Sequence, residues 1–264
     1  MLKLIAALKT NWQPRPLFVF SDGPVSNRDA YKVNSVRELV VAKLAWARPI
    51  LFERKKHLGL ATSILKAVDH ILEEYKTVTV LEDDCIPGPQ FLRYIDLCLD
   101  KFANRGKVFF ITGYTVEMPQ DVLKQYEWDI YFEPRLGSWG WATWRDRWQK
   151  CDRNTTRIGA LVEQEGIKLT VPGRDFPALV KKKISGEHDT WTCATTLSML
   201  LHGAYCAYPT ISHVQNIGHD GSGRHCGSVD RYATPIAETL PKRFPPTVGT
   251  HRLTHKVFKK IYGG

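Results

Sequence analysis

The chain has 264 residues, 43% of them hydrophobic and 24% charged, and a formal net charge of +10. That is ordinary for a globular protein and long enough to bury a sizeable core. No run of about eighteen apolar residues is present, which excludes a membrane-spanning helix. The positive balance favours anionic partners such as nucleotide sugars, phospholipid surfaces or nucleic acid without choosing among them, and a merely basic solvated surface reads the same way.

The elements are taken in chain order. The opening "MLKLIAALKTNWQP" carries Lys3 and Lys9 around a short apolar part, lacks a small-residue cleavage site and reads as a helix rather than a signal peptide. "PLFVFSDGP" is a short apolar run ending in a turn, the pattern of a strand buried on both faces. "VNSVRELVVAKLAW" has helical spacing, and "ILFERKK" is a second strand that turns basic at its end. In "GLATSILKAVDHILEEYK", Leu60, Ile64, Val68 and Ile71 share a helical face. A strand over Thr77–Leu81 follows. Next come a helix with Phe91, Ile95, Cys98 and Phe102 on one face and a buried strand, "KVFFITGY". Strands alternating with helices predict βαβ units and a mainly parallel sheet, whose ligands sit at the carboxyl ends of the strands.

The second half is less regular. "RLGSWGWATWRDRW" holds four of the eight Trp among Gly and Ser pivots. "GEHDTWTCATTLSMLLHG" reads as a helix opened by acids, and "NIGHDGSGRHCG" as a Gly-rich loop. The tail "HRLTHKVFKKIYGG" is basic with an apolar stripe of Leu253, Val257 and Ile261; it reads as a helix packed on the domain or one attached to an anionic membrane surface. Six Cys, at 85, 98, 151, 193, 206 and 226, form no CxxC pair, so neither a zinc knuckle nor a dithiol redox motif is spelled out. Reduced thiols in a cytoplasmic protein are the simplest reading. There is no internal repeat and no low-complexity segment.

The stretch "TVTVLEDDCIPGP" places Glu82, Asp83 and Asp84 at the tip of a strand. Close like charges repel, and the repulsion costs stability unless something positive sits among them. A hard divalent cation, which takes oxygen ligands, answers that need. The other reading is a solvated loop, or acids at the start of the following helix, where they are mildly stabilising. Asp22 and Arg54 also lie at strand ends, so one crevice can collect all of them.

"LEDDCIPGPQFLRY", preceded by "ERKKHLGLATSI" and followed by "ITGY" and "SWGWATWRDRW", resembles the bacterial glycosyltransferases of the GT-A fold, many of them described as sugar transferases or hemolytic-protein-like. The chain is also distantly similar to the Golgi N-acetylglucosaminyltransferase that initiates complex N-glycans, which carries the same Glu-Asp-Asp triplet. The resemblance covers residues 17 to 227. It implies a single catalytic domain over 1–264: a nucleotide- and metal-binding half (17–114), an acceptor-side half (115–227) and a basic tail (228–264). It also implies a first strand and an Asn-Arg-Pro turn that this sequence does not contain.

On that resemblance Asp84 binds Mn²⁺ or Mg²⁺, and Glu82 and Asp83 hold the ribose or its neighbourhood. Asp22 matches the position that contacts the base of a UDP-linked donor, with a plain Asp-Gly turn as the alternative. Arg54 approaches the nucleotide or belongs to a solvated basic patch. Asp189 matches the aspartate that deprotonates the acceptor hydroxyl, with Trp191 two residues on; a helix N-cap is its other reading. Glu187 is close enough to exchange roles with it. Trp139 or Trp141, flanking Gly140, packs on sugar, with the remaining Trp in the core. His225 reaches the diphosphate or metal, or is structural.

The function so implied is metal-dependent, inverting transfer of a hexosyl or N-acetylhexosaminyl group from a nucleotide sugar to a glycan or lipid-linked acceptor. The setting is bacterial surface polysaccharide synthesis, in the cytoplasm or at the inner face of the membrane. The competing expectation is a degenerate transferase that binds nucleotide or carbohydrate without turnover. Nucleic-acid binding rests on charge and aromatics alone, with no recognised motif.

Overall fold

In the computed structural model, which describes residues 1–218 and 232–263, the apolar runs become strands because only a hydrogen-bonded ladder satisfies their buried amides. The first half contains α1 (Leu2–Asn11), β1 (Phe18–Ser21), α2 (Asn27–Leu44), β2 (Ile50–Glu53), α3 (Leu60–Glu74), β3 (Thr77–Val80), β4 (Cys85–Pro87), α4 (Phe91–Lys101) and β5 (Val108–Thr112). The second half contains α5 (Gln120–Gln125), β6 (Ile130–Glu133), β7 (Trp141–Trp144), α6 (Arg145–Trp148), α7 (Thr155–Gln164), α8 (Phe176–Ile184) and α9 (Thr192–Leu201). It closes with β8 (Tyr205–Pro209), β9 (Val214–Asn216) and α10 (Arg252–Tyr262).

The central sheet has five strands in the order β3–β7–β5–β8–β6. β5 pairs with β8 in parallel, while β7 runs antiparallel to both β3 and β5, and β6 antiparallel to β8. The sheet is therefore mixed, not mainly parallel. The expected βαβ crossover from β3 through α4 to β5 exists. Its two strands never touch, because β7, drawn from the Trp-rich segment, lies between them. β1 and β2 form a separate parallel pair, and no strand among the described residues joins β1 to β3.

The sheet is apolar on both faces. Phe110, Tyr131 and Trp141 face a core closed by Val68 and Leu72 of α3 and Phe258 of α10. Ile111, Phe132 and Ala142 face another closed by Phe91 and Ile95 of α4. The apolar stripe of the tail (Leu253, Val257, Ile261) packs on the first core, so α10 turns that stripe inward. Among the described residues no helix is long and apolar enough to cross a membrane.

Candidate functional site

The geometry of the sheet gathers the candidate residues at one edge. Val80 at the end of β3 and Thr112 at the end of β5 both lie opposite Trp141, the first residue of β7. The turn before β7, with Trp139 and Gly140, therefore sits between the tip of β3 and Gly113. α3 has 15 residues and returns over β3; the helix and the stretch through Glu82 each span roughly 20 Å. The head of α3 is thus level with the acid triplet.

At the tip of β3 the chain turns sharply, with Cys85 N–H donating to the Glu82 carbonyl (3.0 Å). β4 then pairs with β9, so the acids are followed by a short strand rather than directly by a helix. Burial, with the Asp84 and Asp83 charges added, pushes the Glu82 carboxyl up from its ordinary 4.5 to about 7. Burial, with the Asp84 and Glu82 charges added, pushes the Cys85 thiol up as well. The Cys85 thiol donates to Asp84 Oδ1 (3.5 Å), and Ile217 N–H to the Asp84 carbonyl (2.9 Å). A Cβ on Gly218 would stand 2.5 Å from Asp84 Oδ2, so a larger residue there would displace the Asp84 carboxylate. Asn216 Oδ1, which accepts from Gly218 N–H (2.7 Å), belongs to the same cluster. Asn216 was not singled out in the sequence; only its β9 pairing with Cys85 brings it to the acids.

The Met1 ammonium donates to the Asp83 carbonyl (3.2 Å). Among the described residues no group of three or more His, Cys, Asp or Glu is arranged to hold a metal ion. The donor chemistry nonetheless suits Mn²⁺ or Mg²⁺: hard carboxylate and amide oxygens crowded at one spot, one carboxyl pushed toward protonation by burial and by the neighbouring Asp84 and Asp83 charges. His225, the other sequence candidate for the metal, lies outside the described residues.

The turn before β7 is built on glycine. Gly140 has φ +59°, and a Cβ there would stand 2.6 Å from Val214 and 2.9 Å from Phe91. The Trp139 ring is half-buried, edge-on to Tyr114 (4.5 Å) and Tyr232 (5.4 Å). Trp141 is fully buried, packed against Trp148 and Trp191. A ring with no exposed face cannot stack on sugar, so Trp141 is a core residue and Trp139 alone of the pair stands at the edge.

At the head of α3 two carboxylates converge from distant parts of the chain. Asp22 accepts from the Gly23 (2.9 Å), Leu58 (3.0 Å) and Gly59 (3.2 Å) amides and pairs with His57 Nδ1 (2.9 Å). Asp189 Oδ2 accepts from the Ala61 amide (3.2 Å), and Oδ1 faces Lys183 Nζ (3.5 Å). Gly59, at φ +79°, leaves room for that approach; a Cβ there would stand 2.9 Å from Asp189 Oδ2. The alternative reading of Asp189, as the N-cap of its own helix, does not hold. That helix, α9, starts only at Thr192, and Asp189 caps α3 instead. Such a long-range cap leaves no local sequence signal.

Two candidates stand apart from this arrangement. Arg54 donates to Ser63 Oγ (2.5 Å) and to the Ser63 carbonyl (3.1 Å), and lies over the Phe20 ring, so it fastens β2 to α3. Glu187 is exposed and accepts from Ser185 Oγ (2.7 Å). Comparison with protein-family models and with curated proteins finds no match for this chain.

Proposed function

We propose that the chain is a metal-dependent glycosyltransferase of GT-A type that moves a sugar from a nucleotide-sugar donor, UDP-linked, to a glycan or lipid-linked acceptor. The observation that carries the reading is the crowded acid cluster at the tip of β3, next to the turn that carries Trp139, with the half-exposed carboxylate of Asp189 at the head of α3. Asp84, with Asn216 beside it, holds the divalent cation, and Glu82 and Asp83 face the nucleotide. The metal, when bound, offsets charge on the departing diphosphate. Asp189 takes the acceptor proton as the acceptor oxygen bonds to the anomeric carbon and the bond to the diphosphate breaks, a single displacement with inversion. Asp22 holds the β2–α3 turn through the Leu58 and Gly59 amides, and Arg54 fastens β2 to α3 through Ser63. Synthesis of bacterial surface polysaccharide at the inner face of the membrane is the setting this chemistry suits.

One observation favours a second reading, a nucleotide- or carbohydrate-binding module without turnover: β1 and β2 stand apart from β3, which leaves the donor side of the edge without a continuous sheet beneath it. Calorimetric titration with UDP, with and without Mn²⁺, on the chain and on Asp84→Asn decides the metal-site reading. Metal-dependent binding that Asp84→Asn loses supports it, and binding that persists in excess chelator overturns it. UDP-sugar turnover by the purified chain then separates enzyme from module.

A further inference from the structure

β1 and β2 pair in parallel, and their register decides which backbone groups of β1 that pairing uses. The Leu17 and Ser21 carbonyls accept from the Ile50 (2.8 Å) and Arg54 (3.0 Å) amides. A strand gives alternate residues to each neighbour, so Phe18 and Phe20 turn their N–H and C=O to the other edge. β3 repeats the pattern. The Lys76 carbonyl accepts from the Arg145 amide (2.8 Å) in register with the β3–β7 ladder, so Val78 and Val80 bond to β7. Thr77 and Thr79 turn their N–H and C=O away from it. Among the described residues no strand pairs with either of these edges.

The two edges lie on either side of one slot. On one face, Phe18 meets Tyr75 (5.6 Å) and Phe20 meets His70 of α3 (6.2 Å). Val78 and Val80 join the core that Val68 and Leu72 of α3 close. On the opposite face Ile5 of α1 packs with Val19, and the Met1 ammonium at the head of α1 reaches the Asp83 carbonyl just past β3 (3.2 Å). One helix above and one below therefore span from β1 to β3. A helix is about 10 Å across. Two strand spacings of about 4.8 Å come to the same width, so the slot is one strand wide. Phe18–Ser21 and Thr77–Val80 are only half-buried along their whole length, whereas β5 and β7 are buried throughout. Neither strand carries the Lys, Pro or bulge that usually blocks an open edge.

We infer that this slot takes an extended segment of another polypeptide chain as an added strand, which makes the sheet continuous from β2 to β6. The N–H and C=O groups of Phe18 and Phe20 on one wall and of Thr77 and Thr79 on the other alternate along the slot. A peptide backbone answers that alternation on both sides at once; a sugar or a lipid does not. Helices cover both faces, so the segment is a continuous apolar run rich in β-branched residues, with no charge inside it. Walls of four residues each set its length at about five residues. Every strand of the described chain already has a neighbour, so a second copy has none to lend. The inference uses none of the acids and stands apart from the transferase reading.

The test uses the full chain and one synthetic peptide, KKVIVIVKK with both ends blocked, and reads hydrogen exchange at single amides. At saturating peptide the amides of Phe18, Phe20, Thr77 and Thr79 exchange at least tenfold more slowly, on both walls together. The Leu51 and Glu53 amides, on the outer edge of β2, do not change. The same peptide N-methylated at alternate residues of its apolar run lacks donors along one edge and binds at least tenfold more weakly. Thr79→Pro removes a donor of the slot and no bond to β7, and weakens the unmodified peptide at least fivefold. The N-methylated peptide needs no variant of the chain, so the test stands even if Thr79→Pro does not fold. Unchanged exchange on either wall, equal binding of the N-methylated peptide, or protection at Leu51 and Glu53 instead each overturn the inference.

Discussion

The tip of β3 and the head of α3 both collect carboxylates at one edge of the sheet, and they treat them in opposite ways. At the head of α3, Asp22 and Asp189 meet backbone amides and a basic side chain apiece. These oxygens do what acids at a helix N-terminus do, satisfying donors that the helix cannot satisfy itself. At the tip of β3, Glu82, Asp83 and Asp84 crowd one another, and the Glu82 carboxyl is driven up to about 7. An acid with its own partners is part of the scaffold. Acids that repel one another ask for a cation. Asp189 belongs partly to each group: its carboxylate caps α3 yet is half-exposed beside a cavity.

The largest effect is expected where those roles overlap. Asp189→Asn keeps an oxygen to accept from Ala61 but removes the base, so transfer falls 100-fold or more while UDP affinity stays within about twofold. Parallel loss of kcat and donor affinity would make Asp189 a scaffold acid like Asp22.

Glu82→Gln tests the burial and the crowding of that carboxyl together. A carboxyl raised from 4.5 to about 7 in the fold favours the folded state fully below pH 4.5, and that stability is lost as pH rises through 7. In chelator, the chain should therefore weaken from pH 5 to pH 8 by up to about 3 kcal/mol. Glu82→Gln should flatten the profile in urea unfolding. Equal slopes in the two proteins would mean that neither burial nor the neighbouring acids raise the Glu82 carboxyl.

Asp22→Ala should move stability the other way. Loss of the cap on the Leu58 and Gly59 amides costs about 1–2 kcal/mol, independent of Mn²⁺. A metal-dependent cost would place Asp22 with the triplet. The smallest effect is expected at Glu187, whose replacement by Gln should change stability by less than about 0.5 kcal/mol and transfer by less than twofold.

Much of the first half was legible in the sequence because its signals are local. The apolar runs at Phe18–Ser21, Thr77–Val80 and Val108–Thr112 and the helical stripe from Leu60 are visible residue by residue, and the strands and α3 fall on them. The order of strands was not legible. Trp141–Trp144 reads as part of a Trp-rich loop that follows Gly137 and Gly140, and only long-range packing makes it the strand that parts β3 from β5. β6 was hidden too, since its apolar run ends in Glu133, whose buried carboxylate is matched by His255 of α10 (2.7 Å), 122 residues away. Within the candidate site the triplet was legible as a charge conflict. Asn216 and the cap by Asp189 were not, because each depends on pairing between distant segments.

The head of α3 also offers a means of observation. Three nearly consecutive amides, of Leu58, Gly59 and Ala61, answer to two carboxylates that arrive from opposite halves of the chain. Their hydrogen-exchange rates form a small built-in gauge. Exchange at Leu58 and Gly59 registers the hold of the β1–β2 unit, and exchange at Ala61 registers the hold of the segment before α9. A ligand that draws Asp189 away speeds one proton and leaves its neighbours slow, so a single residue's spacing along the chain separates events in two distant parts of the molecule.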